Sequence, residues 1–290
     1  MSTTPDAATS DNPRDEIAFV LGGGGQLGAH EVGMLEALFE HGIEPSLIVG
    51  TSVGAINGAV VAADPSVATA RRLTDVWSRF EEEGIFKGSL LRRAATLART
   101  RTHLHGDDAL RGLLTDVLPE RIEDLAVRFG CVAASIERAS EHWFEDGPLV
   151  DAVMASAAVP GILPAVEIDG EHYLDGGIVN SIPVSRAVEL GARTLYVLHV
   201  GRLDRPLEPP RWPWEVGLVA FEIARRHRFL GDLARLPDDV TVHVLPTGQT
   251  DPPRYNDLKQ LRYRDGSQIA ANIARAREAT AQYLDDPRAA

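Results

Sequence analysis

Thiol chemistry is almost absent from this sequence, because only one of its 290 residues is a cysteine, Cys131. A single thiol excludes an intramolecular disulfide and every metal site built on paired thiolates. Cys131 lies in the apolar run Phe129–Ala134, which is typical of a buried strand. We therefore assign Cys131 to the core.

Positive charge is also scarce, with 29 Lys and Arg residues against 42 Asp and Glu residues and a net charge of -13. Nucleic acids are bound by clustered Lys and Arg side chains that displace counterions, so we predict that nucleic acid is not a partner. The same charge disfavours anionic membranes over most of the surface, although a local basic patch can still dock there.

A secretory signal and an uninterrupted apolar span are missing as well. Residues 1–16 are polar and lack a basic start, so we expect a disordered tail and a cytoplasmic protein. The longest uncharged stretch, Pro45–Ala63, approaches the length of a membrane span but contains Ser, Thr, Asn and three glycines. We interpret it as a strand, a turn and a helix.

Two units of strand, glycine turn and helix open the folded part of the chain. Ile17–Leu21 is apolar and precedes four glycines, and Ala29–His41 has apolar residues at helical spacing. Leu47–Val49 is a second apolar strand, and the small residues of Val53–Ala63 allow a helix to pack closely on a sheet. Two such units predict a parallel sheet with its ligand site beyond the carboxyl ends of the strands.

The rest of the chain predicts more strands and helices without an unstructured linker, so we expect one domain over residues 17–285 and a tail at 286–290. Residues 66–118 are helical, irregular and partly Arg-rich, which indicates a cap-like insertion. One helix is expected to follow the proline-rich segment Arg205–Trp214 and to end at about Leu236, and another is expected over Asp265–Leu284. The expected strands are Phe129–Ala134, His142–Phe144, Ala165–Ile168, His172–Leu174, Thr194–Val200 and Val240–Leu245.

Gly50-Thr-Ser-Val-Gly54 matches the nucleophile-elbow pattern G-x-S-x-G, and it lies between a predicted strand and a predicted helix as that motif requires. A serine on a strained turn needs neighbours without bulky side chains, which Gly50 and Gly54 provide. The helix that follows points unpaired N–H groups at negative charge forming beside the hydroxyl. We predict that Ser52 is an acyl-transfer nucleophile; the alternative is a glycine-rich turn with an incidental serine.

The glycine run before the first helix offers consecutive backbone N–H groups that suit an oxyanion, and we expect an oxyanion loop at Gly23, Gly24, Gly25 and Gly28. These residues also fit the dinucleotide pattern G-x-G-x-x-G. That function requires an acidic residue at the end of the next strand, and here that strand ends in the serine turn. A loop needed only for helix packing is the other alternative.

Asp175 ends a predicted strand and is followed by Gly176 and Gly177. Taken alone, Asp-Gly is among the commonest hairpin turns, so the pair by itself predicts only a turn. Its place after Gly23–Gly28 and Gly50–Gly54 changes this interpretation. The three motifs together resemble the signatures of the patatin-like phospholipase family, in the same order along the chain.

The resemblance extends to Ala155–Gly161 and Gly177–Pro183, which are similar to the segments that flank the aspartate in this family. It implies an α/β fold, a three-layer α/β/α sandwich with a mostly parallel central sheet. It also implies a serine esterase with Ser52 as nucleophile and Asp175 as proton acceptor, without cofactor or metal. The implied substrates are lipid acyl esters such as phospholipids and lysophospholipids.

Two positions depart from the usual family pattern. Leu27 stands where Arg or Lys is common, and Leu163 stands where Phe is common. Leu27 removes a positive charge near the predicted oxyanion loop, which makes neutral acyl esters credible substrates beside phospholipids.

A Ser-Asp-His triad is the rival enzyme interpretation. The first candidate for its histidine is His199, at a predicted strand end, and the further candidates are His227 and His243. A catalytically inert lipid-binding module is the alternative outside enzymes. It rests on a basic segment and a tryptophan pair, which could make peripheral membrane contact; the alternatives are a solvated surface helix for the basic segment and aromatic packing under the proline-rich loop for the tryptophans. The residues concerned are Arg92, Arg93, Arg99, Arg101, Trp212 and Trp214.

Overall fold

The fold is built around one mixed sheet. A computed structural model describes residues 16–82, 99–200, 206–249 and 266–286. Within these ranges the sheet has eight strands, all close to the predicted positions. They are β1 Ile17–Leu21, β2 Leu47–Thr51, β3 Arg128–Ser135, β4 Ser140–Phe144, β5 Val166–Ile168, β6 Glu171–Asp175, β7 Thr194–Leu198 and β8 Thr241–Val244.

Helices connect most of the strands, as alternating strand and helix patterns require. Those of the described residues are α1 Ala29–Glu40, α2 Val53–Ala63, α3 Val67–Glu82, α4 Asp108–Val117, α5 Leu149–Ser156, α6 Val184–Glu189, α7 Pro213–Leu233 and α8 Gly266–Asp285. The short helices α5 and α6 were not among the sequence-based predictions. Both precede or follow glycine and proline turns, and each is too short to show a clear helical period.

The strand order is β5-β6-β3-β2-β1-β7-β8, and β4 also pairs with β3. The pairs β3–β2, β2–β1, β1–β7 and β7–β8 are parallel. The pairs of β3 with β4 and β6, and of β5 with β6, are antiparallel. The sheet is therefore mostly parallel. Strand β2 runs parallel to β3, whereas β6 runs antiparallel to it.

Alternate residues of the central strands enter two separate cores, because successive side chains of a strand point to opposite faces. Phe19 packs in a core with α1, α2 and α3, whereas Val20 packs in a core with α6 and α7. Helices thus cover both faces of the sheet. This arrangement confirms the predicted three-layer α/β/α sandwich.

The predicted insertion at residues 66–118 packs into the main core at both of its described ends, through Trp77 of α3 and Leu114 of α4. The residues between these helices include Arg92 and Arg93, which lie outside the described residues, as do residues 1–15 and 287–290. Arg99 and Arg101 are exposed. In the described part of the chain, no helix combines the length and apolar character needed to cross a membrane.

Candidate active site

The pairing of three neighbouring strands brings Ser52 and Asp175 together. Thr51, the last residue of β2, pairs with Val132, and the next residue of β3, Ala133, pairs with Asp175 at the end of β6. Strand β4 pairs with the other edge of β3, so β2 and β6 lie end to end along one edge, and Ser52, which directly follows Thr51, comes next to Asp175. The Ser52 hydroxyl donates a hydrogen bond of 2.5 Å to Oδ2 of Asp175.

Ser52 lies on a strained turn between β2 and α2. Its φ of 56° and ψ of -122° are unusual for a residue with a side chain and cost roughly 1–3 kcal/mol. A Cβ atom on Gly50 would lie 2.6 Å from the carbonyl oxygen of Gly54, and a Cβ atom on Gly54 would overlap with the Leu21 carbonyl. The elbow therefore needs glycine at both positions for close backbone approach.

Both oxygens of Asp175 accept hydrogen bonds, one from Ser52 and the other from the Gly177 N–H at 2.7 Å. The side chain is buried, with 6% of the residue exposed. Burial raises the pKa of Asp175 to about 6, against the opposing effect of both hydrogen bonds. The carboxylate is ionised at neutral pH and is a stronger base than an ordinary aspartate.

The glycine loop presents fewer free donors than its sequence suggests. The Gly23 N–H already donates to the Ser181 carbonyl at 2.9 Å. The N–H groups of Gly24 and Gly25 have no hydrogen-bond partner among the described residues. Gly28 has a packing role, since a Cβ atom there would lie 2.5 Å from the side chain of Val53. Two adjacent donors, and not the whole loop, are thus available to an anion.

A buried polar network that the sequence analysis did not identify, made by Asn57 and the carboxyl group of Glu31, joins the glycine loop to the elbow helix. Asn57 of α2 donates to Oε2 of Glu31 at 2.8 Å and to the Gly28 carbonyl at 3.1 Å, and it accepts a bond from Trp77. Burial raises the pKa of Glu31 well above its usual range. A glutamate in the first turn of a helix looks like a surface residue in sequence, so no local signal predicts this network.

The sequence analysis also gave no role to Ser156 and Asn180. The Ser156 hydroxyl accepts a hydrogen bond from the Ser52 N–H at 2.9 Å, and the Asn180 carbonyl accepts one from the Thr51 hydroxyl at 2.9 Å. Both residues lie in the segments that flank the aspartate motif. A signal was therefore present in the family-like flanks, but it did not specify which side chain contacts the elbow.

The candidate histidines do not complete a triad. His199 is buried, and neither ring nitrogen has a hydrogen-bond partner in the part of the chain that the structure describes. Burial, with Arg225 and Arg226 nearby, lowers the pKa of His199 well below its usual range. His227 is exposed, and His243 contacts the Tyr283 hydroxyl. Within the described ranges, no group of three His, Cys, Asp or Glu side chains is placed to hold a metal ion.

Comparison with solved structures finds VipD from Legionella pneumophila, with a TM-score of 0.47 and 16% identity over 94% of this chain and 67% of that chain. The type III effector protein ExoU has a TM-score of 0.38 and 14% identity, and the match covers 94% of this chain and 53% of ExoU.

Sequence comparison finds longer relatives. The chain is 32% identical over 189 residues to lysophospholipase nte1 of Aspergillus terreus, which covers 65% of this chain and 12% of the relative. It is 31% identical over 191 residues to patatin-like phospholipase domain-containing protein 7 of Mus musculus, which covers 65% of this chain and 14% of the relative. The chain spans about an eighth of the length of these curated relatives.

A family model described as patatin-like phospholipase matches residues 19–188. The match covers more than half of the chain and includes the glycine loop, the Ser52 elbow and the Asp175 turn. The chain therefore belongs to the patatin-like phospholipase family.

Proposed function

We propose that the protein hydrolyses carboxylic esters of lipids through a Ser52–Asp175 dyad and an acyl-enzyme intermediate. The observation that carries this proposal is the 2.5 Å hydrogen bond between the Ser52 hydroxyl and a buried carboxylate, on a strained elbow. A nucleophile in contact with its base is the arrangement that acyl transfer requires. The unpaired N–H groups of Gly24 and Gly25 support it, because acyl transfer also needs donors for an oxyanion.

In the first half of the reaction, the Ser52 oxygen attacks the ester carbonyl carbon while its proton passes to Oδ2 of Asp175. The carbonyl oxygen becomes negative and accepts hydrogen bonds from Gly24 and Gly25. The tetrahedral intermediate then expels the alcohol, which takes the proton from Asp175. The products of this half are the free alcohol and Ser52 esterified by the acyl group.

In the second half, water attacks the acyl group and gives a proton to Asp175. Collapse of the second tetrahedral intermediate releases the carboxylic acid, and the proton returns to the Ser52 oxygen. A carboxylate is a weaker base than imidazole, so the raised pKa of Asp175 matters in both halves. Stabilisation of the oxyanion carries the larger part of the barrier reduction.

The substrate class we propose comprises phospholipids, lysophospholipids and neutral acyl esters. A relative named lysophospholipase supports the lysophospholipids. Leu27 is half-buried beside the glycine loop, where it offers no positive charge to a headgroup phosphate. Neutral esters are therefore included.

The test is hydrolysis of a panel of phospholipids, lysophospholipids, acylglycerols and p-nitrophenyl esters by the wild type and by His199→Ala. Loss of a true triad histidine costs about 10⁴-fold or more in kcat. We expect His199→Ala to keep kcat within about tenfold, because the His199 ring bonds to neither Ser52 nor Asp175. The same alanine change at His227 and His243 serves as the comparison, and collapse at any one of the three would contradict the dyad.

We further propose that residues 17–285 form one domain that contacts membranes through an apolar face of α7. Eight large apolar residues of the described chain are exposed, and six of them lie on α7, at its start or in the turn after Asp175. Three of these six, Val216, Ile223 and Leu230, are spaced seven residues apart and lie on one side of α7, which we call the apolar face; the other three are Ile178, Trp212 and Phe221. Phe221 lies on the opposite side of α7, where its ring is 3.2 Å from the Cβ position of Gly177, so α7 itself packs beside the turn after Asp175.

Charge favours an anionic lipid surface as the occupant of this face. Residues 211–235 contain five arginines and three acidic residues, a local charge of +2 in a chain of charge -13. An apolar helix face with basic neighbours is typical of interfacial docking. Because α7 also packs beside the turn after Asp175, docking through this face would bring the dyad close to the membrane.

The double variant Val216→Ser with Ile223→Ser tests this contact. We expect at least about fivefold weaker flotation with vesicles that contain anionic phospholipid, because the membrane loses contact with two apolar side chains that it would otherwise bury. The rate on vesicles should fall more than the rate on a dissolved ester. Ile136→Ser, an exposed apolar residue outside α7, is the matched control. Unchanged flotation of the double variant would exclude this face.

A further inference from the structure

The turn that follows α5 is bonded to the backbones of both dyad residues. The Ser156 hydroxyl accepts from the Ser52 N–H, and the Ala158 carbonyl accepts from the Asp175 N–H, each at 2.9 Å. Ser52 and Asp175 are 123 residues apart in sequence, and the strands β2 and β6 that carry them pair with the same edge of β3, one after the other. One short turn, residues 156–158, therefore links their backbones directly.

This turn is well placed to hold a fixed distance, because all of its residues are buried. Ser156 is fully buried and Ala158 is 1% exposed. The Ala157 N–H bonds to the Val153 carbonyl and the Ala158 N–H bonds to the Ala155 carbonyl, so the turn is anchored to α5. Its two contacts with the dyad cannot shift independently of that helix.

The bond to Ser52 matters because of the conformation that Ser52 adopts. A residue with a side chain leaves a φ of 56° unless its surroundings hold it there. The Ser52 N–H precedes α2, where no partner within the helix is available, and the residue is buried. The Ser156 hydroxyl satisfies this N–H, so removing it frees the backbone to rotate and carries the Ser52 oxygen away from Asp175.

We infer that Ser156 is a positioning residue, whose hydroxyl holds the Ser52 backbone so that the Ser52 oxygen stays in contact with Asp175. The inference rests on the proposed hydrolase function. Ser156 acts through the N–H of Ser52, and the proton steps belong to Ser52 and Asp175. Its effect is on the geometry of attack, because it holds the Ser52 oxygen in its hydrogen bond to Asp175.

The variant Ser156→Ala tests this role. We expect kcat to fall about 10- to 100-fold with KM within about twofold, because small displacements of a reacting group have effects of this size. The rate of inactivation by a fluorophosphonate should fall by the same factor. The pH at which kcat/KM declines on the acid side should move upwards, since the hydrogen bond from Ser52, which lowers the pKa of Asp175, is weakened in the variant.

Ser135→Ala is the matched control, because the buried Ser135 hydroxyl likewise accepts a backbone N–H, that of Arg138 at 3.1 Å. It should lose stability without the loss in kcat. Where Ser156→Ala does not fold, Ser156→Cys fills the same space with a weaker acceptor and should give a smaller fall in kcat. A folded Ser156 variant with wild-type kcat, or an equal fall in Ser135→Ala, would overturn the positioning role.

Amide hydrogen exchange at Ser52 separates this inference from the function on which it rests. In Ser156→Ala we expect faster exchange of the Ser52 N–H while the amides of β1 keep their protection. That result stands whether or not an ester is hydrolysed. An inactive wild type would contradict the proposed function, whereas an unchanged Ser52 amide in Ser156→Ala would contradict the inference alone.

Discussion

Ser52→Ala is expected to lower kcat for ester hydrolysis by about 10⁴-fold or more, the scale seen when a serine nucleophile is removed from a hydrolase. The variant loses the atom that forms the acyl-enzyme, and the other hydroxyl of the elbow, that of Thr51, is bonded to the Asn180 carbonyl. The fold should survive, because the lost hydrogen bond to Asp175 costs about 1–3 kcal/mol, less than the stability of a typical domain. Ser78→Ala, the same change on the exposed surface of α3, is the control.

The substrate panel extends this prediction to every ester that the wild type cleaves. Every ester that the wild type cleaves should be lost together in Ser52→Ala, because one nucleophile serves the whole class. Activity on any ester that persists at more than about a hundredth of the wild-type kcat would mean that another group attacks that substrate.

Asp175→Asn is expected to lower kcat by about 10³- to 10⁴-fold, since the amide keeps the shape of the side chain but cannot accept the Ser52 proton. The amide oxygen can still accept from Gly177, and the amide nitrogen can donate to the Ser52 oxygen. The loss should therefore appear in kcat and in fluorophosphonate labelling with the fold intact. Near wild-type activity of this variant would exclude Asp175 as the base.

The pKa of Asp175 sets the pH dependence of the wild type. Because the base must be ionised and burial raises its pKa to about 6, kcat/KM should be level above pH 7. Below pH 6 it should fall about tenfold for each unit. A plateau that continues to pH 4 would contradict the raised pKa.

Because its pKa is raised, the ionised Asp175 side chain lowers the free energy of unfolding at neutral pH, which is a cost to stability. A carboxyl group with a pKa of about 6 in the folded state and 3.8 in the unfolded state binds its proton more tightly when folded. The stabilising contribution of this tighter proton binding to the free energy of unfolding is present in full below pH 3.8 and is lost as pH rises through 6. The difference of about two units corresponds to roughly 3 kcal/mol.

Asp175→Asn removes this cost. Its free energy of unfolding at pH 8 should exceed that of the wild type by up to about 3 kcal/mol, and the advantage should shrink towards pH 4. Denaturant unfolding at the two pH values measures the difference. An advantage that does not depend on pH would show that the buried charge is not its source.

Much of the site could be predicted because its parts are local motifs. The elbow around Ser52, the glycine run and the Asp175 turn each carry their own sequence signal, and β1 and β2 are apolar runs of the usual length. The contact between Ser52 and Asp175 is different. It depends on the antiparallel register of β6 on β3, which no local pattern specifies.

The sequence could not predict which residues, far apart along the chain, form hydrogen bonds with one another. Four glycines in a row look like four equal donors, yet the Ser181 carbonyl already takes the N–H of Gly23. His199 follows a strand as a triad histidine would, but among the described residues its buried ring makes no hydrogen bond to Asp175. Ser156 is one of several small residues in its segment, and only the fold shows which backbone N–H it meets.

The most direct test of the account is to treat the folded wild-type protein with a fluorophosphonate and to locate the adduct by peptide mass spectrometry. The account predicts one covalent adduct, on Ser52, and its absence in Ser52→Ala. It also predicts a rate of formation that falls below pH 6 with the ionisation of Asp175. An unlabelled wild type with an intact fold, or an adduct on another residue, would contradict the assignment of Ser52 as the nucleophile.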